Sequence, residues 1–447
     1  MNFIRYRSIN IAIPAVLTVS LLCSISMCRA QSQTGGGIQG KLQGKLQSQL
    51  TFPSLLSVEQ AVQICLERNP AAAAARAGAE SALASYRSLA SLPSPSLGVS
   101  YANGSSTSPT ISGTNTDTFI EISESLDTSG QRRYQAASAH AQYLSAWFTF
   151  GETQLTLEQQ TKDAYWGLAA ARALLTYNHQ TVQEAEKIYN LVKAQQAVGQ
   201  SPRIDVVRSG IDVANAKQAD LAAIGAEKEA LSALNTLLGR APELPITLQI
   251  DIAAAPVSSA VSAFNPKSLA ARALARRSAV LAASQLEKAA AYTVKQNRAA
   301  NMPDFSVDYQ RSVIQAVDAL VLSIHMPLVD FGANRYQVRS AEASRKQAAA
   351  QLKGIQQQVA QQVNDAVVAY QQARDQLNGY AADILKPSIT LREMAQAGYR
   401  EGATGILPVI DAETTLRSAR TGYINCLLAL KKAEDALNAA VGESVVK

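Results

Sequence analysis

Gly199-Gln-Ser-Pro-Arg-Ile-Asp205-Val-Val207 and Gly402-Ala-Thr-Gly-Ile-Leu-Pro408-Val-Ile410 stand 203 residues apart, and Leu238-Gly239 and Val441-Gly442 repeat that interval. Upstream, Leu126-Asp-Thr-Ser-Gly130-Gln-Arg-Arg133-Tyr134 matches Leu328-Val-Asp-Phe-Gly332-Ala-Asn-Arg335-Tyr336 at a spacing of 202. Further up, Pro95-Ser-Leu-Gly-Val-Ser-Tyr101 matches Pro303-Asp-Phe-Ser-Val-Asp-Tyr309 at a spacing of 208. A period of about 200 residues is far too long for a solenoid repeat. It predicts a duplicated unit of helix, strand, strand, long helix, tip and returning helix.

The first unit spans 53–240 and the second 266–447. The joint, 241–265, carries Pro242, Pro245 and Pro256 and a short strand-like Ile246–Ile250, with Pro266 just after it. Ser57-Val-Glu-Gln60 matches a capping box at a helix start. Asn69-Pro70 interrupts that helix, and an alanine-rich stretch then runs to Leu92, before Pro93 and Pro95. Apolar and small or polar residues alternate over 95–102, 117–127, 303–312 and 318–328, which predicts four strands, although Glu124 breaks the pattern. Between the first two, Asn103 to Asp117 is almost wholly Gly, Ser, Thr and Asn and reads as a loop. Its counterpart is shorter, which accounts for the change of offset from 208 to 202. Long helices are expected over 133–198, 202–238, 333–400 and 405–441, with Pro387 the lone proline inside the third. The longest would reach about 100 Å. Leu352, Ile355, Val359, Val363, Ala366 and Tyr370 recur at coiled-coil spacing, and helices this long must either pack as an extended bundle or bridge two distant places.

Arg5 and Arg7, the mostly apolar Ile11–Cys23, and Cys28-Arg-Ala30 read as a signal peptide over 1–30, cut after Ala30; lipidation at Cys28 is the competing processing. Residues 31–52 are Gln/Gly/Ser-rich and read as a flexible segment. The formal charge of +6 includes Arg5, Arg7 and Arg29; without them 38 Lys and Arg face 35 Asp and Glu. That small excess gives no case for nucleic acid as a partner. Cys65 and Cys426 lie on apolar helix faces and read as buried thiols rather than a disulfide. No apolar run after the leader reaches the roughly 20 residues of a membrane helix, so any membrane crossing falls to strands. His140, His179 and His325, and Met302, Met326 and Met394, show no ligand spacing. There is no phosphate loop or nucleophile elbow, so the reading is of no enzyme, no cofactor and no metal site.

Strands of about ten residues suit an outer-membrane barrel. Four of them cannot close one, since about eight is the practical minimum. Chains must combine, and three would supply twelve strands. At this point the sequence resembles the TolC family of outer-membrane efflux and secretion channels. The resemblance rests on Leu56-Ser-Val-Glu-Gln-Ala-Val-Gln-Ile-Cys-Leu-Glu-Arg-Asn-Pro70, on Met326-Pro-Leu-Val-Asp-Phe-Gly-Ala-Asn-Arg335, and on Gly398-Tyr-Arg-Glu-Gly402 with Val409-Ile-Asp-Ala-Glu-Thr-Thr-Leu416. It implies a mainly α protein with membrane β: a homotrimer with a twelve-stranded barrel in the outer membrane, continued by an α-helical barrel in the periplasm of a Gram-negative cell. It also implies a periplasmic adaptor and an inner-membrane pump of resistance-nodulation or ABC type. The function implied is a passive exit duct for small molecules or metal ions, and the Gly398–Leu416 stretch leans toward the heavy-metal and resistance-nodulation branch. The alternative is a periplasmic adaptor or coiled-coil scaffold, which predicts one long hairpin and no amphipathic strands.

The resemblance also singles out the tips. In the family, acidic residues just beyond the turn ring a closed periplasmic aperture. Asp411 matches one such position; the other is Pro408 here, and its counterpart in the first repeat is Asp205. The plainer reading is that both aspartates solvate or cap a helix start. Gly199, Arg203, Gly402 and Pro408 are the candidates for adaptor contact at the tips. Glu121, Glu124 and Asp308 are candidates for the lumen or its rim.

Overall fold

The computed structural model describes residues 52–108, 111–252, 265–313, 318–325 and 331–445. The leader with Cys28, residues 31–51, joint residues 253–264, and Met326 to Asp330 lie outside the described residues. The elements below all fall in one unit, Leu56–Lys447.

In chain order the elements are α1 (Val58–Arg68), α2 (Pro70–Ala90), β1 (Ser96–Ser108), β2 (Ile111–Leu126), α3 (Gln131–Ala197) and α4 (Arg203–Leu237). The same order then recurs as α5 (Pro266–Arg276), α6 (Ser278–Ala299), β3 (Asp304–Ser312), β4 (Asp318–His325), α7 (Ala333–Gly379) with α8 (Lys386–Arg400), and α9 (Ile406–Val441). Helix α3 runs for 67 residues, about 100 Å at the usual rise. Among the described residues the glycines with positive φ are Gly130 and Gly332, Gly199 and Gly402, and Gly239 and Gly442. They form three pairs at the intervals of 202 and 203 that the sequence displays.

Local chemistry sets the helix ends. The Ser57 hydroxyl accepts from the Gln60 N–H while the Gln60 side chain accepts from the Ser57 N–H, completing the capping box. Asn69 separates α1 from α2: its Oδ1 accepts from Ala71 N at 2.8 Å, and Pro70 takes the first helical position. Its Nδ2 donates to Leu237 O at 2.9 Å, holding the carboxyl end of α4. At the equivalent junction between α5 and α6 stands Arg277. Its Nη1 donates to Ala439 O and Ala440 O, both at 2.9 Å, holding the carboxyl end of α9. Its Nε and Nη2 bind the Glu152 carboxylate of α3, which also accepts from Ala279 N. The two junctions do the same mechanical task with different groups.

The helix expected over 333–400 is interrupted. Tyr380–Leu385 forms a π-helical turn between α7 and α8. Pro387 follows directly; its missing N–H and its ring's clash with the carbonyl four residues back make the α-pattern untenable just there. The strand-like Ile246–Ile250 reduces to a single parallel bridge, Leu56 to Leu248.

The four strands form one antiparallel sheet in the order β1-β2-β3-β4, leaving β1 and β4 as edges. The reading of Asn103–Asp117 as a loop is corrected: β1 and β2 stay paired to Ser108↔Ile111, with Pro109 and Thr110 outside the described residues. Ladder hydrogen bonds need only backbone, and threonine is at home in strands, so a hairpin can continue where apolar alternation has stopped. Register sorts the side chains. Leu97 pairs with Ile122, Ile122 with Tyr309, and Tyr309 with Leu320, so these share a face with Val99, Ile120, Leu126, Val307, Leu322 and Ile324. Most are exposed. Glu121, Ser123, Ser306, Asp308, Gln310 and Ser323 share the opposite face. There the Asp308 carboxylate accepts from Ser306 Oγ and Ser323 Oγ. Glu124 pairs with Val307 and so lies on the apolar face, unlike Glu121 and Asp308.

Candidate functional site: the helix tips and a buried charge cluster

The two tips turn alike. Gly199 (φ 78°) and Gly402 (φ 75°) sit in the left-handed region just past α3 and α8. The following N–H reaches back five residues in each: Gln200 N to Gln195 O, 2.8 Å, and Ala403 N to Gly398 O, 2.9 Å. Glycine is the residue that adopts this helix-terminating geometry without a Cβ penalty. Helix α4 then starts after Pro202 and α9 after Gly405, neither with a side-chain cap.

An apolar seam holds the tips together. Val192, Ile406 and Val409 are buried, with Ile188, Val206, Ala395 and Tyr399 packed against them. The Tyr399 hydroxyl donates to Gln195 Oε1, which ties α8 to α3. Burial, and secondarily the Asp205 charge, push the Tyr399 phenol up from its usual range.

The sequence-selected residues divide. Asp205 is half-buried in the first turn of α4, where its Oδ2 accepts from Ser201 Oγ at 3.4 Å. Asp411 is exposed in the second turn of α9, too far in to cap it. Arg203 and Pro408 are exposed on the first turns of α4 and α9.

Three further acidic positions escape sequence reading. Asp212 pairs with Arg417 (Oδ1 to Nη1 3.2 Å, Oδ2 to Nη2 3.4 Å), joining α4 to α9. Glu413 is buried and accepts from Gln396 Nε2 at 2.8 Å; burial holds its carboxyl above the usual range. Its spacing from Ile406, Val409 and Leu416 put it on the apolar stripe, a signal that was available. The third, Asp435, belongs to a cluster at the α3–α9 packing. Lys162 Nζ lies 3.9 Å from Asp435 Oδ1 but only 2.7 Å from Glu158 Oε1. Lys431 is 2.9 Å from Glu434 Oε2 and stands over the Trp166 ring. Asp163 Oδ1, Glu434 Oε1 and Asp435 Oδ2 are buried with no hydrogen-bond partner. Burial, aided by Asp163 and Glu434 and opposed by Lys162 and Lys431, pushes the Asp435 carboxyl up to about 7.

Cys65 is buried and Cys426 half-buried, both as free thiols raised by desolvation. His179 Nδ1 lies 2.7 Å from Asp220 Oδ1, and the His140 ring makes a tilted contact with that of Tyr86. Among the described residues no group of three or more His, Cys, Asp or Glu is placed to hold a metal ion, and no helix is long and apolar enough to cross a membrane.

The sequence matches the outer membrane efflux protein family over residues 61–240 and 269–443. The chain belongs to that family. Among curated relatives, the probable efflux pump outer membrane protein TtgC of Pseudomonas putida is 24% identical over 330 residues, covering 71% of this chain and 66% of that protein. The cation efflux system protein CusC of Escherichia coli K12 is 24% identical over 337 residues, covering 73% of this chain and 72% of CusC. Among solved structures, one of CusC superimposes with a TM-score of 0.76 at 21% identity, over 86% of this chain and 92% of that one. The open-state MtrE outer membrane channel of Neisseria gonorrhoeae gives 0.75 at 20%, over 87% and 89%. At such identities the structures speak for the fold.

Proposed function

We propose that this member of the family is the passive exit duct of a tripartite efflux system, assembled as a trimer. One observation carries the reading: a four-stranded sheet with two open edges, β1 and β4, and one predominantly apolar, exposed face. Unpaired strand edges are not tolerated in lipid. Three copies joined edge to edge give a twelve-stranded barrel, apolar outside and polar within, in the outer membrane. The duplicated unit then supplies two helical hairpins per chain, and these continue the tube through the periplasm.

In this reading the tips face a periplasmic adaptor through Gly199, Arg203, Gly402 and Pro408, and an inner-membrane pump drives export. Asp411, exposed near the tip, forms one ring of three carboxylates, and Asp205 forms a second beside Tyr399; such rings attract cations. The cargo class is small molecules or metal ions, in line with relatives described by toluene, antibiotic and cation efflux. The adaptor or scaffold reading leaves the amphipathic sheet without a role.

Protein purified from outer-membrane fractions should run as a detergent-stable trimer and give single-channel conductance in planar bilayers. A soluble monomer without conductance would overturn the reading. Asp411→Ala should weaken block by divalent cations added on the periplasmic side; unchanged block would remove Asp411 from the aperture.

A further inference from the structure

We infer that the junction between sheet and helices in the first repeat is a binding site for a phosphoethanolamine headgroup, the zwitterionic end of a phospholipid. The inference rests on the membrane placement proposed above. A hollow of about 610 Å³ opens where the lower ends of β2 and β3 meet the end of α2 and the start of α3. Leu92 and Leu126 line it on the apolar side, and Arg132, Arg133, Glu124 and Asp304 bring charges of both signs.

Leu126 ends the row of apolar side chains on the exposed face of the sheet, and Leu92 is 88% exposed. In a membrane this is the level at which acyl chains give way to headgroups. The hollow touches the inner strands β2 and β3 rather than the edges, so edge-to-edge closure of a barrel does not run through it.

The charges show what could sit there. The Asp127 carboxylate, also at the rim, is engaged by Gly130 N, Arg132 N and Ser129 Oγ. The Arg132 guanidinium donates to Ser91 O, which fixes its plane and leaves other N–H groups available. Arg133 is exposed. Two adjacent guanidiniums form a natural phosphate cradle, since their fork matches phosphate oxygens in pairs. Glu124 is a carboxylate set between Ile122 and Leu126 on the predominantly apolar face and opposite Val307, whereas Asp304, with a buried Oδ1 without a partner, alternates onto the face of Ser306 and Asp308. A carboxylate facing lipid is unfavourable alone. A primary ammonium carries three N–H donors and answers the Glu124 carboxylate, while the phosphodiester beside it answers the arginines. A choline headgroup keeps the charge but cannot donate, and a glycerol headgroup has no cation.

The purified trimer, in detergent mixed with dioleoyl phosphatidylethanolamine, phosphatidylcholine or phosphatidylglycerol, is examined by native mass spectrometry for retained lipid. Phosphatidylethanolamine should be retained about two- to tenfold more than either other lipid, the worth of one charged hydrogen bond near water. Glu124→Gln should erase the preference over phosphatidylcholine. Arg133→Gln should lower retention of all three, and Arg133→Lys should restore part of it. Equal retention of the three lipids by the wild type, or a preference that survives Glu124→Gln, overturns the site. Conductance of the variants separates the two readings: a conducting trimer without headgroup preference refutes the lipid site alone.

Discussion

Replacing Arg277 by methionine is expected to cost about 3 to 5 kcal/mol of folding stability, the usual penalty for stranding one partner of a buried ion pair. The pair is largely withdrawn from water: the Arg277 side chain is 11% exposed and that of Glu152 24%. Arg277 Nε lies 3.1 Å from both Glu152 oxygens, and Nη2 lies 2.6 Å from Oε1. Methionine keeps much of the length and apolar volume, so the loss is mainly electrostatic. Glu152 would retain only the Ala279 N–H. The Ala439 and Ala440 carbonyls would lose a cation at the negative end of α9, worth about 0.3 to 1 kcal/mol where water can partly replace it. Thermal unfolding in detergent, followed by helical circular dichroism, reads the effect. An unfolding entropy near 2.1 cal/mol/K per residue makes about 0.9 kcal/mol/K for the whole chain, so the melting temperature should fall by about 3 to 6 °C. Adding Glu152→Gln should recover about 2 kcal/mol or more, because the stranded charge is gone. A fall below about 1 °C, or a double variant as unstable as the summed singles, refutes the clamp.

Two further outcomes follow from the same geometry. Asp435, raised when folded, contributes stability in its neutral form that is complete below its unfolded value near 4 and is lost as pH rises toward 7. Asp435→Asn should therefore flatten the fall of melting temperature over that window and stabilise by up to about 4 kcal/mol on its alkaline side; parallel profiles would refute this. Gly239→Ala should cost about 1 to 3 kcal/mol, because φ is +66° and a Cβ would meet Arg68 O at 3.0 Å. Gly225→Ala, in open space within α4, should stabilise by about 0.5 to 1 kcal/mol in the same assay; equal effects at both positions would sink the distinction.

What was legible in the sequence was whatever one element writes by itself. Turn glycines at matched intervals, the Ser57–Gln60 box and the alternation of Leu97, Val99 and Tyr101 need no knowledge of neighbours. The extension of β1 and β2 beyond Tyr101 was hidden because backbone pairing there carries no apolar signature. The π-turn before Pro387 was announced by the proline but not its width. Asp212, Asp435 and the Arg277–Glu152 clamp were opaque for a different reason: their partners lie far along the chain, and an acidic residue on one helix reads as solvated until the opposing helix is placed. Glu413 was the exception, being written onto an apolar stripe.

The unlike clamps at like junctions bear on how the chain sorts itself while folding. Two long returning helices of similar length and terminal sequence compete for two docking corners built on one plan, a setting that invites mispairing between halves. Asn69 offers a neutral amide to a single carbonyl, whereas Arg277 arrives with Glu152 and seeks two. A helix docked at the wrong corner leaves either a carbonyl ungripped or an arginine N–H unanswered, because Asn69 serves one carbonyl and Arg277 two. The corner chemistry thus acts as an address label, letting one architectural plan be used twice in one chain without the copies trading places.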